Sequence, residues 1–101
     1  MDTKKYEDYV LSQCKSYVDE PYLVIALNEE AGEIAGWYKK FVLRENVAGK
    51  HTVDDLKGEL GDVLFYLTRL ALMRGWNLED VMLYNVDKLN DRIAKGMKQI
   101  A

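Results

Sequence analysis

Two pairs of acidic residues form the most chemically informative pattern in the chain. Glu30 and Glu33 are three residues apart, and so are Glu59 and Asp62. In an α-helix this spacing puts both members of a pair on one face. At about 100° per residue, each pair falls beside the apolar stripe of its helix. If the two helices pack together, four carboxylates therefore point into one space at the margin of the core.

The alternative is an acidic surface that is solvated or salt-bridged, as is usual for such residues on helices. None of the four acids has a lysine or arginine three or four residues away, whereas Glu29 and Asp55 add further acids at those distances. Like charges at this spacing destabilise a helix by about 0.2–0.5 kcal/mol per pair. Shared protons would neutralise the cluster. A hard divalent cation with oxygen ligands, Mg²⁺ or alternatively Mn²⁺, would do so better.

Helical periodicity dominates the elements that must position these acids, and no strand pattern competes with it. Pro21 is placed in the first turn of the second predicted helix, and Gly75 follows the end of the third. Thr52 and Asn77 are the predicted N-caps of the last two helices. A polar loop is predicted over residues 44–52. Four amphipathic helices are predicted over residues 6–17, 21–41, 53–74 and 77–96, the last fraying at its end. The predicted fold class is all-α, a four-helix bundle.

The third helix predicts that the bundle is completed by oligomerisation. Its segment Val63–Met73 is apolar almost all round, and such a helix is usually buried on several sides. Each glycine inside a helix lowers its stability by about 1 kcal/mol relative to alanine. Several such glycines therefore suggest that another helix approaches closely there, across a subunit interface. The alternative is that the helices are loosely formed. Four glycines lie inside the second and third helices, namely Gly32, Gly36, Gly58 and Gly61.

Composition limits the remaining classes. The 101 residues include 17 acidic and 14 basic ones, a formal net charge of −3, which argues against nucleic-acid binding through overall charge. A 49% hydrophobic content is too high for a disordered chain. The single cysteine, Cys14, forms no internal disulfide and too few thiols are present for zinc. Without a signal-like segment or a run of about 18 apolar residues, the prediction is a cytoplasmic protein with no membrane partner.

Three segments carry a resemblance to a known family. The segments Leu27–Ile34 (LNEEAGEI) and Glu59–Leu67 (ELGDVLFYL) resemble the MazG-like nucleotide pyrophosphohydrolases of the all-α NTP pyrophosphatase superfamily. The family signature is ExxE followed after a variable gap by ExxD, which the two acidic pairs match. The stretch 85–92 (NVDKLNDR) resembles the closing motif of the family. The resemblance extends from about Val24 to Arg92, and it implies a single MazG-like domain over residues 1–101.

The resemblance implies hydrolysis of a (deoxy)nucleoside triphosphate to the monophosphate and pyrophosphate. By match of motif, Glu30, Glu33, Glu59 and Asp62 would hold Mg²⁺. Metal ions neutralise phosphate oxygens and lower the pKa of a bound water, so the residue types suit this chemistry. Glu33 and Glu59 are the predicted catalytic residues, with Glu33 the preferred acceptor of the water's proton.

The closing motif implies a phosphate-binding face. Asn85, Lys88 and Arg92 share one side of the fourth helix and would bind the triphosphate tail, with the arginine as a bidentate fork. The alternative is a solvated flank in which the basic residues pair with Asp87 or Asp91.

Three residues near the second helix have more ambiguous roles. Lys40 lies on the acid-bearing side of this helix and is a further predicted substrate-binding residue. Trp37 follows Glu33 by four residues, so it would stack on a base or else pack against the first helix, and packing is the favoured alternative. His51 lies in the polar loop and is expected to be exposed.

Other functions stay open within and beyond the family. Phosphoribosyl-ATP pyrophosphohydrolase is disfavoured because no histidine follows Asp62, while a dUTPase-type activity is a further alternative. A catalytically silent helical module that binds a nucleotide or a protein has little reason to keep four repelling carboxylates. The family resemblance favours a homotetramer, or else a dimer. Without the four motif acids, 13 acidic residues remain against 14 basic ones, so the excess negative charge is concentrated at the proposed metal site. This site should repel a triphosphate without the metal and bind it with the metal.

Overall fold

Four α-helices make up the computed structural model, which describes residues 1–44, 49 and 51–96. A π-helical segment, Lys39–Leu43, continues the second helix directly. No strand occurs in the described residues, so the all-α prediction is confirmed. Most of the predicted loop 44–52 and the end of the chain after residue 96, where fraying is predicted, lie outside the described residues. The helices are α1 (Thr3–Ser12), α2 (Glu20–Tyr38), α3 (Val53–Met73) and α4 (Leu78–Ala94).

Capping boxes fix the starts of α3 and α4 at the predicted residues. The Thr52 hydroxyl accepts from the Asp55 backbone N–H at 3.2 Å, and the Asp55 carboxylate accepts from the Thr52 N–H at 2.8 Å. Asn77 and Asp80 exchange the same two bonds at 2.7 and 2.9 Å. Each box satisfies two backbone donors that the helix cannot satisfy itself, so the N-caps predicted at Thr52 and Asn77 are confirmed.

The first helix is shorter than its periodicity predicts, and the prediction that it extends to Tyr17 is wrong. The helix ends at Ser12, where the Ser12 hydroxyl donates to the Tyr9 carbonyl at 2.6 Å and the Cys14 thiol donates to the Val10 carbonyl at 3.0 Å. Side chains that bond back to the last carbonyls compete with continuation of the helix. Tyr17 is 67% exposed, so its spacing does not reflect a buried face.

The packed centre of the chain is the α2–α3 pair, with α1 lying on α3 and α4. Val10 of α1 and Leu23 of α2 are 0% and 1% exposed. Thr68 and Ala71 of α3 are also buried, and the Thr68 hydroxyl donates to the carbonyl of Leu64 at 2.6 Å. This core is small, and it holds α2 and α3 side by side over the region that carries the acidic pairs.

The buried face of α2 is rotated from the predicted stripe. Helical spacing predicts an apolar stripe of Val24, Leu27, Ala31, Ile34, Tyr38 and Phe41. Val24, Ala31 and Tyr38 are exposed, and the other three are only half-buried, whereas Leu23 and Ala26 outside the stripe are buried. Apolar residues occur on both sides of α2, so hydrophobic periodicity cannot decide which side packs within one chain.

α4 projects away from the rest of the molecule. Helical spacing predicts an apolar stripe of Met82, Val86, Leu89 and Ile93 on this helix. Leu78 at its start is buried and Leu89 is half-buried, but Met82, Val86 and Ile93 are each roughly half exposed. Among the described residues, α4 contacts α1 and α3 but not α2, and the molecule measures 44 × 44 × 28 Å along its principal axes. Much of the apolar surface of α4 is therefore uncovered in the single chain.

The interior glycines do not mark close helix approach within the chain. A Cβ built on any of the four would meet no heavy atom within 4 Å beyond its own local helix backbone. Close approach across a subunit interface stays a prediction. Over the described residues, none of the helices combines the length and apolar character needed to cross a membrane.

Candidate active site

Three carboxylates from two helices meet where α2 packs against α3. Glu30, Glu59 and Asp62 each present one oxygen, and the three oxygens lie within 4.8 Å of one another. We call these residues the carboxylate cluster. Glu30 and Glu59 are half-buried, whereas Asp62 is exposed. Oxygen ligands stand about 2.0–2.6 Å from Mg²⁺ or Ca²⁺, so two oxygens on opposite sides of one ion are about 4.0–5.2 Å apart. The separation of up to 4.8 Å within the carboxylate cluster is comparable.

The cluster carries uncompensated negative charge. Burial raises the pKa of the Glu30 carboxyl, and the charges of Asp62, Glu29, Glu59 and Glu33, in that order, raise it further. Both causes disfavour the ionised form of Glu30. A proton or a cation at this position therefore stabilises the site.

Glu33, the fourth acid of the motif, stands apart from the carboxylate cluster. Its side chain is exposed and lines a neighbouring cleft together with Glu59 and Asp62. The structure thus brings three of the four predicted metal ligands within one ion's reach and puts the fourth on the wall of the adjoining space.

The cleft lies against the carboxylate cluster and has a volume of about 350 Å³. Its size is within the range of small-molecule sites in proteins. It extends from the cluster toward the first turn of α3. The lining residues are Glu33, Trp37, Lys40, His51, Asp54, Asp55, Gly58, Glu59 and Asp62.

Trp37 is fixed in the cleft wall by two contacts. Its ring stacks on Phe41, with centroids 5.0 Å apart and planes inclined by 14°. Its Nε1–H donates to the Thr52 carbonyl at 2.8 Å. The favoured prediction that Trp37 packs against the first helix is therefore wrong. Its partners are the π-helical segment and the start of α3, which sequence periodicity does not pair.

Lys40 brings a positive charge to the cleft from the π-helical segment, as predicted from its side of the helix. The wider turn is marked by the Arg44 N–H, which donates to the Lys39 carbonyl at 3.0 Å, and π-helical turns occur frequently at functional sites. His51 is half-buried and also lines the cleft, so its predicted exposure is wrong.

The first turn of α3 supplies two acids to the cleft that the motifs did not single out as site residues. Asp54 lies 3.5 Å from the Lys57 ammonium, and Asp55 belongs to the Thr52 capping box. Their capping positions are readable from the sequence, but nothing in the sequence shows that this helix end faces Trp37.

The predicted phosphate-binding residues of α4 do not line the cleft of the described chain. Asn85 and Lys88 are exposed and Arg92 is half-buried. Asp91 pairs with Lys95 at 2.9 Å, rather than with Lys88 or Arg92. Among the described residues, neither Lys88 nor Arg92 forms an ion pair with the carboxylate cluster, and α4 makes no contact with α2.

Tyrosine side chains adjoin the cluster from two helices. Burial is the main cause that raises the pKa of the Tyr6 phenol, and a neighbouring tyrosine and the charge of Asp62 raise it further. Burial likewise raises the pKa of Tyr66, and a neighbouring tyrosine and the charges of Glu30 and Asp62 add to this effect. The sequence does not single out Tyr6, because it precedes the recognisable motifs.

Comparison with known proteins identifies the family. The sequence profile of the MazG nucleotide pyrophosphohydrolase domain matches residues 20–97. The chain belongs to this family. The gene 37 protein of Mycobacterium phage L5 is 37% identical over 87 residues, which make up 85% of this chain and 76% of the phage protein. No solved structure matches the chain.

The match divides the molecule in an informative way. The matched residues begin at the first residue of α2 and include the carboxylate cluster, the cleft and α4. α1 lies outside the matched residues, yet it contacts both α3 and α4. The resemblance seen in the sequence is confirmed, and the single domain over residues 1–101 stays a prediction.

Proposed function

We propose that this MazG protein hydrolyses nucleoside triphosphates to the monophosphate and pyrophosphate in a Mg²⁺-dependent reaction. The observation that carries the proposal is the carboxylate cluster, with its three oxygens within 4.8 Å at one end of a cleft. Family membership supports nucleotide pyrophosphohydrolase activity in general. The metal and the triphosphate substrate are the finer parts of the proposal.

The donor set suits a hard divalent cation. All three groups are carboxylates, the ligands that Mg²⁺ and Mn²⁺ prefer, with no soft donor among them. In the part of the chain that the structure describes, no lysine or arginine ion pair engages them. Burial, and then the charges of the neighbouring carboxylates, raise the pKa of Glu30, so nothing near it among the described residues favours its ionised form. A cation would therefore relieve repulsion that the protein itself leaves in place.

Glu30, Glu59 and Asp62 would hold the Mg²⁺ ion. When bound, the ion neutralises phosphate oxygens and lowers the pKa of a bound water. Glu33 is exposed on the cleft wall beside Glu59 and stands outside the carboxylate cluster, so its carboxylate is available to accept the proton of the attacking water. Glu59 belongs to both the cluster and the cleft, which supports a catalytic role at their junction.

Trp37 would stack on the nucleobase. Phe41 covers part of its ring and Thr52 takes its only hydrogen-bond donor, so it contributes a flat apolar surface held in a fixed orientation. Stacking on such a surface tolerates any base. Lys40, on the same cleft, would bind a phosphate oxygen.

The active form would be a homo-oligomer, a tetramer or else a dimer. Ile25 of α2, Leu60 of α3 and Leu83 of α4 are all more than half exposed, and large uncovered apolar areas commonly mark protein interfaces. Because α4 does not line the cleft of its own chain, Asn85, Lys88 and Arg92 of a second copy would complete the phosphate site.

A panel of nucleoside triphosphates tests the proposal. The purified protein is incubated with all ribo- and deoxyribonucleoside triphosphates, including dUTP, in the presence of Mg²⁺, Mn²⁺ or a chelator. We expect pyrophosphate release from at least one substrate, dependent on the metal. Release of orthophosphate instead, or no turnover of any triphosphate, would refute the enzyme proposal.

A further inference from the structure

The helix outside the matched MazG residues makes a buried contact with α4. The Glu7 side chain of α1 accepts a hydrogen bond from the backbone N–H of Leu78 at 2.6 Å, across 71 residues of sequence. Glu7 is 6% exposed and Leu78 is 5% exposed. A carboxylate at this depth is unusual on a small helical protein, because burying a charge without a partner is costly.

The partner of Glu7 is the first turn of α4. The first N–H groups of a helix have no acceptor within the helix, and the helix dipole makes this end attractive to a negative charge. The capping box of Asn77 and Asp80 already occupies two other donors there. Glu7 therefore supplies an acceptor that α4 lacks, in a charge-assisted bond.

Few other contacts orient α4. After Leu78, the side chains of α4 are mostly exposed, and the turn that leads into it contains Gly75 at a φ of 83°. The direction in which α4 leaves the molecule is therefore determined at its first turn. Asn85, Lys88 and Arg92 lie further along the same rigid helix, so their position depends on that direction.

α1 is also anchored close to the carboxylate cluster. Val10, one turn after Glu7, is fully buried, and α1 packs against α3. Tyr6, the residue before Glu7, is near enough to Asp62 for that charge to contribute to its raised pKa. Neighbouring residues of α1 thus connect the cluster with the start of α4.

We propose that Glu7 is a positioning residue for the phosphate-binding face of α4, acting by fixing the first turn of that helix. The proposal rests on the proposed function, since it assigns Glu7 an effect on triphosphate binding. Glu7 belongs neither to the carboxylate cluster nor to the lining of the cleft. Its loss should weaken substrate binding through Lys88 and Arg92 while leaving metal binding at the carboxylates intact.

The test compares Glu7→Ala and Glu7→Gln with the control Asp8→Asn, in the full chain. Asp8 is the next residue on α1 and makes an exposed ion pair with Lys4. Four quantities are measured at a concentration where all proteins have the same mass by light scattering. They are amide hydrogen exchange of residues 78–81 in the free protein, Mn²⁺ affinity without nucleotide, kcat and KM.

For Glu7→Ala we expect about tenfold faster exchange at residues 78–81 and about a tenfold higher KM, since the first turn of α4 loses its charged hydrogen-bond acceptor. The kcat and the Mn²⁺ affinity should stay within about twofold of the wild type. Glu7→Gln should be intermediate, because the amide oxygen still accepts the Leu78 N–H without the charge. Asp8→Asn should change none of these.

Unchanged exchange in α4, or an unchanged KM, would overturn the proposal. A parallel loss of kcat and Mn²⁺ affinity would also overturn it, because it would indicate general loosening of the fold. If Glu7→Ala does not fold, Glu7→Gln decides by the same criteria. If the wild type hydrolyses no triphosphate, the proposed function fails. The exchange measurement and calorimetric binding of pyrophosphate then still test the effect of Glu7.

Discussion

The α2–α3 pair and α4 differ in how the chain holds their charged residues. The acidic residues lie on two helices that pack along their length, and three of their carboxylates meet within 4.8 Å. The basic residues lie on a helix that is buried only at its start, and they do not line the cleft. The negative half of the candidate site is assembled within one chain, whereas the positive half depends on how α4 is placed.

This difference separates what each half can do alone. A single chain assembles the proposed metal site, because the carboxylate cluster needs only α2 and α3. The proposed triphosphate site needs groups whose position would depend on α1 and on a second copy. Metal affinity and substrate affinity should therefore respond to different substitutions, and five experiments test this separation.

The largest expected effect on activity comes from replacing a residue of the carboxylate cluster. Glu59→Gln should lower kcat by about 100-fold or more, comparable to removing one stabilising group from a transition state, and it should abolish Mn²⁺ binding. Circular dichroism should show unchanged helicity. Glu79→Gln, an exposed acid on α4, is the control. Retained turnover in Glu59→Gln would remove this residue from the metal site.

The second experiment concerns the half that α4 carries. Replacing Lys88 and Arg92 together by alanine should lower kcat/KM by about a hundredfold, since two bonds between charged groups of about 1.5 kcal/mol each are lost, without affecting Mn²⁺ affinity. A loss of Mn²⁺ affinity would contradict the separation of the two halves.

Mixed oligomers test whether α4 acts on its own chain or on a partner. The Lys88/Arg92 variant is unfolded and refolded together with Glu59→Gln. If a second copy supplies the basic residues, random pairing of symmetric dimers restores about a quarter of the wild-type activity. Activity no greater than the average of the two parent proteins would show that each α4 serves its own cleft.

A smaller effect is expected at Trp37, between the two halves. Trp37→Ala should raise KM by about fivefold to a hundredfold, because stacking on an aromatic ring contributes about 1–3 kcal/mol per base. All bases should be affected alike, since the indole N–H is already bonded to Thr52. Trp76→Ala, at an exposed tryptophan in the turn before α4, is the control. A loss confined to one base would indicate specific recognition instead of stacking.

The smallest effect is on stability. The folded-state pKa of Glu30 is raised from its ordinary value of 4.5, so the stability that protonated Glu30 contributes is present below that value and is lost as pH rises through the raised pKa. Without metal at neutral pH, Glu30→Gln should therefore unfold a few degrees above the wild type. The difference should vanish in acid.

Thermal unfolding monitored by circular dichroism, with and without Mg²⁺, measures this effect. Mg²⁺ should raise the Tm of the wild type more than that of Glu30→Gln, because binding to the folded state stabilises it. An equal Mg²⁺ effect on both proteins would show that Glu30 is not a ligand.

The sequence was sufficient for the order of the helices and for the starts of α3 and α4, because caps and period act locally. Thr52 and Asn77 begin helices where their side chains predict it. The ExxE and ExxD spacing anticipates the approach of Glu30, Glu59 and Asp62 but not the separate position of Glu33. The face of each helix that packs within the chain was less predictable. α2 has apolar residues on two sides, so the sequence does not say which side packs within the chain and which stays uncovered.

The parts of the site that could not be predicted depend on contacts between distant segments. The buried carboxylate of Glu7 meets Leu78 only after three helices are in place, and no spacing rule connects residues so far apart. Trp37 and His51 reach the same cleft because the π-helical segment and the start of α3 approach each other. Such contacts are tertiary, and they override what each segment favours by itself.

The bond between Trp37 and Thr52 has a consequence for how this domain tolerates change. It joins the end of α2 to the start of α3, so the separation of these two helices does not rely on the chain that connects them. Closing a longer connection costs only about 0.6 kcal/mol for each doubling of its length. The segment between Arg44 and His51 is therefore a place where insertions or fused sequences could be accommodated while the carboxylates keep their spacing.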